Sequence, residues 1–311
     1  MSPSSVFALA GRRSFVILLA GVLLNTLPLC GFEAPAIKPK GKATDFWSVR
    51  WQPVRLVNGS PLVFQVTSPE QLKSLSAKWL EHEVFLSSDS HGKVWYGIAG
   101  ASLETRPGNY SLALKGATIT GKELSFQKRI AVGKGKYHSI VASVPKQYTE
   151  PNAEQLQRIN QDKVLKEHAF ARTTSEREWA GSFHPAVKAQ ISDVFGTSRT
   201  FNGRVQSVHQ GLDYAVPEGT PVAALNSGTV LLAQPLFFEG NCVVLDHGQG
   251  LLTLYMHLSK IEVKEGDRIT GGQKIGLSGG TGRATGPHLH VAVRWQGVYL
   301  NPATLLSLRL P

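Results

Sequence analysis

Along most of the chain, apolar residues come in short runs broken by glycine, proline and small polar residues, the pattern of β-strands joined by tight turns. Over residues 37–145 these runs fall at 62–66, 83–86, 93–98, 110–114 and 124–127. Asn58, Gly59 and Ser60 precede the first, and the stretches 89–92 and 107–109 supply turn residues between later ones. This spacing predicts an N-terminal immunoglobulin-like β-sandwich. Its Trp and Tyr residues read as core rather than as a sugar-stacking platform. His82, His91 and His138 read as solvated polar positions.

The pattern changes over 146–184. Thr149 is suited to cap a helix, with Glu150 and Pro151 in its first turn. Leu156, Ile159, Val164 and Leu165 form an approximate apolar stripe through about residue 171, and Gln, Lys, Glu and Arg dominate elsewhere. An exposed helical connector is expected, with His168 and His184 on the surface. Beyond it, runs at 220–224, 228–233, 243–246, 252–255 and 288–293 alternate with turns at 226–228, 265–267 and 271–272. No stretch after residue 196 keeps a helical period, so 185–311 reads as a compact β-fold and the fold class as mostly β.

The first 36 residues stand apart. Arg12 and Arg13 precede an apolar stretch over 15–24, and Ala34, Pro35 and Ala36 offer a small-residue cleavage site. This is the layout of a signal peptide, with an apolar segment short for a membrane span. Export to the periplasm or cell envelope is expected, with no stable membrane span after cleavage. The Arg pair leaves Sec and twin-arginine routes open, and Cys30 leaves lipidation open. Without the leader, Cys242 is alone among strand-like residues and reads as a small buried hydrophobe.

Hydrophobic residues make up 42% of the 311-residue chain and charged ones 18%, with a formal net charge of +11. That describes a globular protein with room for two domains. The basic residues are scattered, without a Lys/Arg block or a nucleic-acid motif. Anionic wall polymers or membranes suit this charge better than nucleic acid. No feature speaks to oligomeric state.

Candidate chemistry lies in two stretches. His288 and His290 fall two apart in a Val-rich run, which as a strand points both imidazoles to one face. Upstream, His209 and Asp213 are four apart, also in phase on an extended chain. Two neutral imidazoles and a carboxylate make a three-ligand zinc site with a fourth position open to water. Structural zinc sites favour four protein ligands and cysteine, so this set points to a catalytic metal. His247, at a strand-to-turn junction, reads as a structural hydrogen-bonding group.

The same residues resemble the lysostaphin-type and LytM-like zinc endopeptidases of cell-wall peptidoglycan. The resemblance covers roughly the last 120 residues. It includes Phe195 and Gly196, Gly211 to Ala215, Glu218 to Val222, Asp246 to Gly248, Leu254 to Ser259, Ser278 to Gly282, Gly286 to His290, and Asn301 with Pro302. It implies an antiparallel β peptidase domain with a substrate groove and one zinc ion per chain. By that resemblance His209, Asp213 and His290 correspond to metal ligands, and His257 and His288 to catalytic histidines. It makes peptidoglycan the expected partner and hydrolysis of stem or cross-link peptide bonds the expected reaction. Gly279, Gly280, Gly282 and Gly286 would let a loop approach the groove. The chain departs from many relatives in having Val291 and Ala292 after the paired histidines and no tyrosine shortly before His209. Arg199, Asn202 or Arg204 would then supply the oxyanion donor. Two alternatives stay open: a non-catalytic regulator of wall hydrolysis on the same fold, and a peptidase of a secreted protein.

Overall fold

Alternating burial marks part of the N-terminal sheets. The strand Leu72–Trp79 buries Leu75, Ala77 and Trp79 and exposes the residues between them. The computed structural model describes residues 46–203 and 205–311, without the side chains of Val205 and Gln206. The expected signal peptide and Arg204 lie outside the described residues.

Eight strands come first: β1 (Ser48–Gln52), β2 (Pro61–Thr67), β3 (Leu72–Trp79), β4 (His82–Val84), β5 (Ser87–Ser88), β6 (Val94–Gly100), β7 (Gly108–Thr118) and β8 (Glu123–Val132). They pair antiparallel in two four-stranded sheets, β1-β2-β6-β5 and β4-β3-β7-β8, where the sequence suggested an immunoglobulin-like sandwich. The sheets meet through Phe64 and Trp79, whose rings lie edge to face at 5.7 Å. The Trp79 indole N–H donates to the Gly100 carbonyl at 2.9 Å, so this buried ring keeps its polar group paired.

The connector helix starts later than expected. After β9 (Ser139–Ala142), the helix α1 (Ala153–Phe170) starts beyond Thr149, because Asn152 and Gln155 form a reciprocal capping box. The Thr149 hydroxyl instead donates to the Lys146 carbonyl. Leu156, Val164 and Leu165 of the helix's apolar stripe are exposed. Polar groups dock α1 instead. Arg158 donates to the Pro235 carbonyl at 2.8 Å, Asp162 accepts the Phe237 N–H at 2.5 Å, and Lys166 pairs with Glu239.

The remaining strands are β10 (Gln190–Asp193), β11 (Ser198–Phe201), β12 (Val205–Val208), β13 (Gly211–Ala215), β14 (Pro221–Ala223), β15 (Gly228–Leu236), β16 (Gly240–Asp246), β17 (Leu251–Leu258), β18 (Lys260–Ile261), β19 (Arg268–Ile269), β20 (Lys274–Leu277), β21 (Leu289–Trp295) and β22 (Val298–Leu300). An eight-stranded antiparallel sheet runs β10-β13-β21-β17-β16-β15-β19, with β22 paired to β21. Two three-stranded sheets, β12-β11-β9 and β14-β20-β18, complete the β structure among the described residues. The β9–β11 pair is parallel. The short helix α2 (Pro302–Ser307) escaped the sequence reading, although Asn301 caps it and Pro302 opens it.

The described residues form one compact unit whose buried cluster includes Leu62, Trp79, Leu245 and Trp295. His82, expected as a solvated position, is half-buried with its ring tilted 5.0 Å from Trp295. The Asn301 N–H donates to the Gly59 carbonyl at 2.7 Å. Gly100 packs under Leu300 so closely that a Cβ there would lie 2.5 Å from the leucine methyls. Gly100→Val should therefore destabilise the chain by about 1–3 kcal/mol through overpacking. Leu300→Ala should recover part of that loss in a double-mutant cycle of urea midpoints; strictly additive effects would contradict the contact.

His247 is fully buried. Its Nδ1–H donates to the Ser227 carbonyl at 2.6 Å, and its Nε2 lies 2.7 Å from the Thr253 hydroxyl. Burial, against the pull of the Ser227 carbonyl, pushes its pKa down to about 4. The folded value lies below the unfolded one, so its contribution is complete above about pH 6.5 and fades as pH falls toward 4. The loss should reach about 3 kcal/mol. Urea midpoints of wild type and His247→Gln, compared from pH 7 to 4, should converge on acidification; parallel curves would refute this.

Candidate metal centre

Cross-strand register assembles the site. Asp213 on β13 lies directly opposite His290 on β21, and Met256 on β17 faces His290 from the other side. His209 precedes β13, its N–H donating to the Thr197 carbonyl and its carbonyl accepting the Gly196 N–H, each at 2.8 Å. The His209 Nδ1–H donates to the Val194 carbonyl at 2.8 Å, which leaves the Nε2 lone pair facing inward. That nitrogen lies 3.0 Å from both Asp213 Oδ1 and His290 Nδ1, and His290 Nδ1 lies 2.7 Å from Asp213 Oδ1.

All three side chains are buried, and they form a group able to hold a metal ion. With the His290 proton on Nδ1 the three groups can hydrogen-bond; with it on Nε2, three lone pairs face one another, an arrangement that a cation satisfies. Two nitrogens and one oxygen suit zinc. Gly211 completes the fit: a Cβ there would lie 2.3 Å from the His290 ring, so a larger residue would displace this donor.

A second layer orients the carboxylate. Arg199 Nη2 donates to Asp213 Oδ2 at 2.6 Å, leaving Oδ1 to the imidazoles. Arg199 also grips Asp193 Oδ2 through Nε at 2.9 Å and Nη2 at 2.5 Å. The other Asp193 oxygen accepts the Thr197 hydroxyl at 2.8 Å. Burial alone would raise both carboxyls. At Asp193 the Arg199 and Thr197 hydrogen bonds reverse that, and at Asp213 contacts with His209 and His290 hold the group well below the usual range.

His257 and His288 stand beside this trio, their ring centroids 4.7 Å apart. His288 Nδ1–H donates to the Gly286 carbonyl at 2.8 Å, and its Nε2 sits 3.9 Å from Asp213 Oδ1. His257 is aimed by a β-bulge. Asn241 pairs with Leu258 but Val243 with Tyr255, so Met256 and His257 together oppose Cys242. The His257 backbone takes φ 62°, the left-handed region that costs a non-glycine residue about 1–3 kcal/mol. Its N–H is held by the Glu239 carbonyl at 2.8 Å and its Nδ1–H by the Thr281 carbonyl at 2.8 Å. Burial, then the nearby His290 and His288, pushes the His257 pKa down to about 3, so the ring is neutral.

The five residues identified in the sequence thus converge on one cleft of about 480 Å³. Its walls were not foreseen. Ile140 and Ala142 of β9 line the cleft together with Phe201, Val208, Phe238 and Arg283. β9 is too short and too weakly patterned to announce this role. Of the donors suggested by sequence, Arg199 lines the cleft, whereas Asn202 is occupied by Val144 and Thr149. Gly282, at φ 72°, lies so near Gly240 that a Cβ would sit 2.3 Å from the Gly240 nitrogen. Gly286, in contrast, has open space around it.

The model of peptidase family M23 matches residues 207–302. Peptidoglycan DD-endopeptidase ShyA of Vibrio cholerae is 34% identical over 203 residues, which cover 65% of this chain and 41% of that protein. DD-carboxypeptidase/endopeptidase Mpg of Neisseria meningitidis is 40% identical over 124 residues, or 40% of this chain and 29% of that protein. The chain therefore spans less than half the length of these curated relatives. A crystal structure from Pseudomonas aeruginosa assigned to peptidase M23 superposes with a TM-score of 0.61 at 30% identity, covering 81% of this chain and 95% of that one. On this fold-wide agreement and the matched family model, the chain belongs to peptidase family M23.

Proposed function

We propose that this protein is an exported zinc endopeptidase that hydrolyses peptide bonds in peptidoglycan stems or cross-links. The convergence of His209, Asp213 and His290 with two further histidines at one cleft carries this reading. Similarity to ShyA and Mpg supports the substrate class. No helix among the described residues is long and apolar enough to cross a membrane.

His209 Nε2, Asp213 Oδ1 and His290 Nδ1 would hold one zinc ion. Zinc, when bound, lowers the pKa of water toward about 7 and polarises a scissile carbonyl. His288 is assigned as general base. With Nδ1–H tied to Gly286, its Nε2 accepts a proton from water and returns it to the leaving amine. His257 likewise has its Nδ1–H tied, to Thr281, and is neutral, so its Nε2 accepts rather than donates. That suits it to orient the attacking water. Arg199 and Asp193 position Asp213.

The purified chain should hold about one zinc ion, and His209→Ala or Asp213→Ala should remove most of it by elemental analysis. His288→Ala should keep the metal yet lose about 10²–10⁴ in rate, while His290→Ala loses both. Metal loss in His288→Ala would exchange the two roles. Digestion of purified peptidoglycan, with new termini identified, should stop when a chelator is added. Intact zinc without any new termini would favour the regulator, and cleavage of a secreted protein alone would favour the third reading.

A further inference from the structure

The charged residues lining the cleft, among those described, are Asp193, Arg199, Asp213, Glu239 and Arg283. Four of them are already matched. Arg199 bridges Asp193 and Asp213, and Glu239 pairs with Lys166 through Oε1. Arg283 is left over. Its guanidinium lies 4.7 Å from the ring centre of Phe238 and 5.1 Å from that of Phe201. Its backbone N–H donates to the Phe238 carbonyl at 2.8 Å, which fixes its approach. No side-chain hydrogen bond or ion pair joins it to a described residue.

Aromatic rings hold a guanidinium by its faces and leave its edge, a planar fork of N–H donors, for another partner. Burial works against the charge at Arg283 and Arg199 repels it, while Glu239, already engaged by Lys166, supports it. A partly desolvated cation with no anion in direct contact gains from a ligand that brings one. A bidentate carboxylate matches the fork. We propose that Arg283, in cation–π contact with Phe201 and Phe238, is a specificity residue that binds a carboxylate of the peptide occupying the cleft. This rests on the cleft being a peptide-binding site. The carboxylate comes either from a side chain or from a chain terminus of the peptide, and the contact is the same.

The test is binding, measured in the full chain carrying His288→Ala so that peptide is not consumed. Three forms of one soluble stem-peptide dimer serve as probes: the free acid, the form amidated at its chain termini, and the form amidated at its side-chain carboxylates. One amidation should weaken binding about 10- to 100-fold, the scale of a charge-assisted hydrogen bond, and which one does so names the source. Adding Arg283→Gln should shrink that difference to within about threefold, with Arg283→Lys in between. A structural role for Arg283 alone would weaken all three peptides alike, and that result overturns the proposal. So would an undiminished preference in Arg283→Gln, no preference with Arg283 present, or no binding of any probe. If the unmodified chain fails to hydrolyse the dimer while the preference and its loss are seen, the hydrolytic reading falls and the carboxylate contact stands.

Discussion

Two side chains from strands far apart in sequence meet at one point because β13 pairs with β21 in a single register. Asp213 lies opposite His290 there, although 77 residues separate them. A slip of one residue would turn His290 to the other face of the sheet and remove it from the cleft. The register is held because β21 is buried on both faces, between β13 and β17. Leu289, Val291 and Val293 pack on one side, and Ala292 joins a second apolar cluster on the other. The apolar residues of β21 thus do the work of aligning its polar ones.

Burying this much polar chemistry is costly, since an uncompensated charge in a protein interior costs several kcal/mol. Partners are accordingly layered outward. Asp213 meets two imidazoles on one oxygen and Arg199 on the other, and Asp193 with Thr197 holds Arg199 and its surroundings in place. His209 is tied to a backbone carbonyl, which determines the nitrogen it presents. The donor set is preorganised by groups that do not themselves face a metal.

The cleft also draws on regions outside the matched family segment. β9 adds a parallel strand to β11 and lends Ile140 and Ala142 to the wall. Helix α1 braces the β15–β16 turn through Arg158, Asp162 and Lys166, and that turn carries Phe238 and the Glu239 carbonyl that holds His257. A strained backbone at His257 persists only because these contacts surround it. Connector and M23 segment thus meet beside His257.

Much was legible from local pattern. Alternation and turn residues announced a mostly β chain, and the even spacing of His288 with His290, and of His209 with Asp213, placed each pair on one face. Asn152 and Gln155 also spelled out the true helix start, though Thr149 drew attention first. These features depend on neighbours within a few residues, which is why a single sequence reveals them. The meeting of Asp213 with His290, the bulge that aims His257, the contact of His82 with Trp295 and the two rings beside Arg283 depend on which distant strands become neighbours. No local preference encodes that choice. It is made when strands distant in sequence bury their apolar faces together, and only the tertiary structure records the outcome.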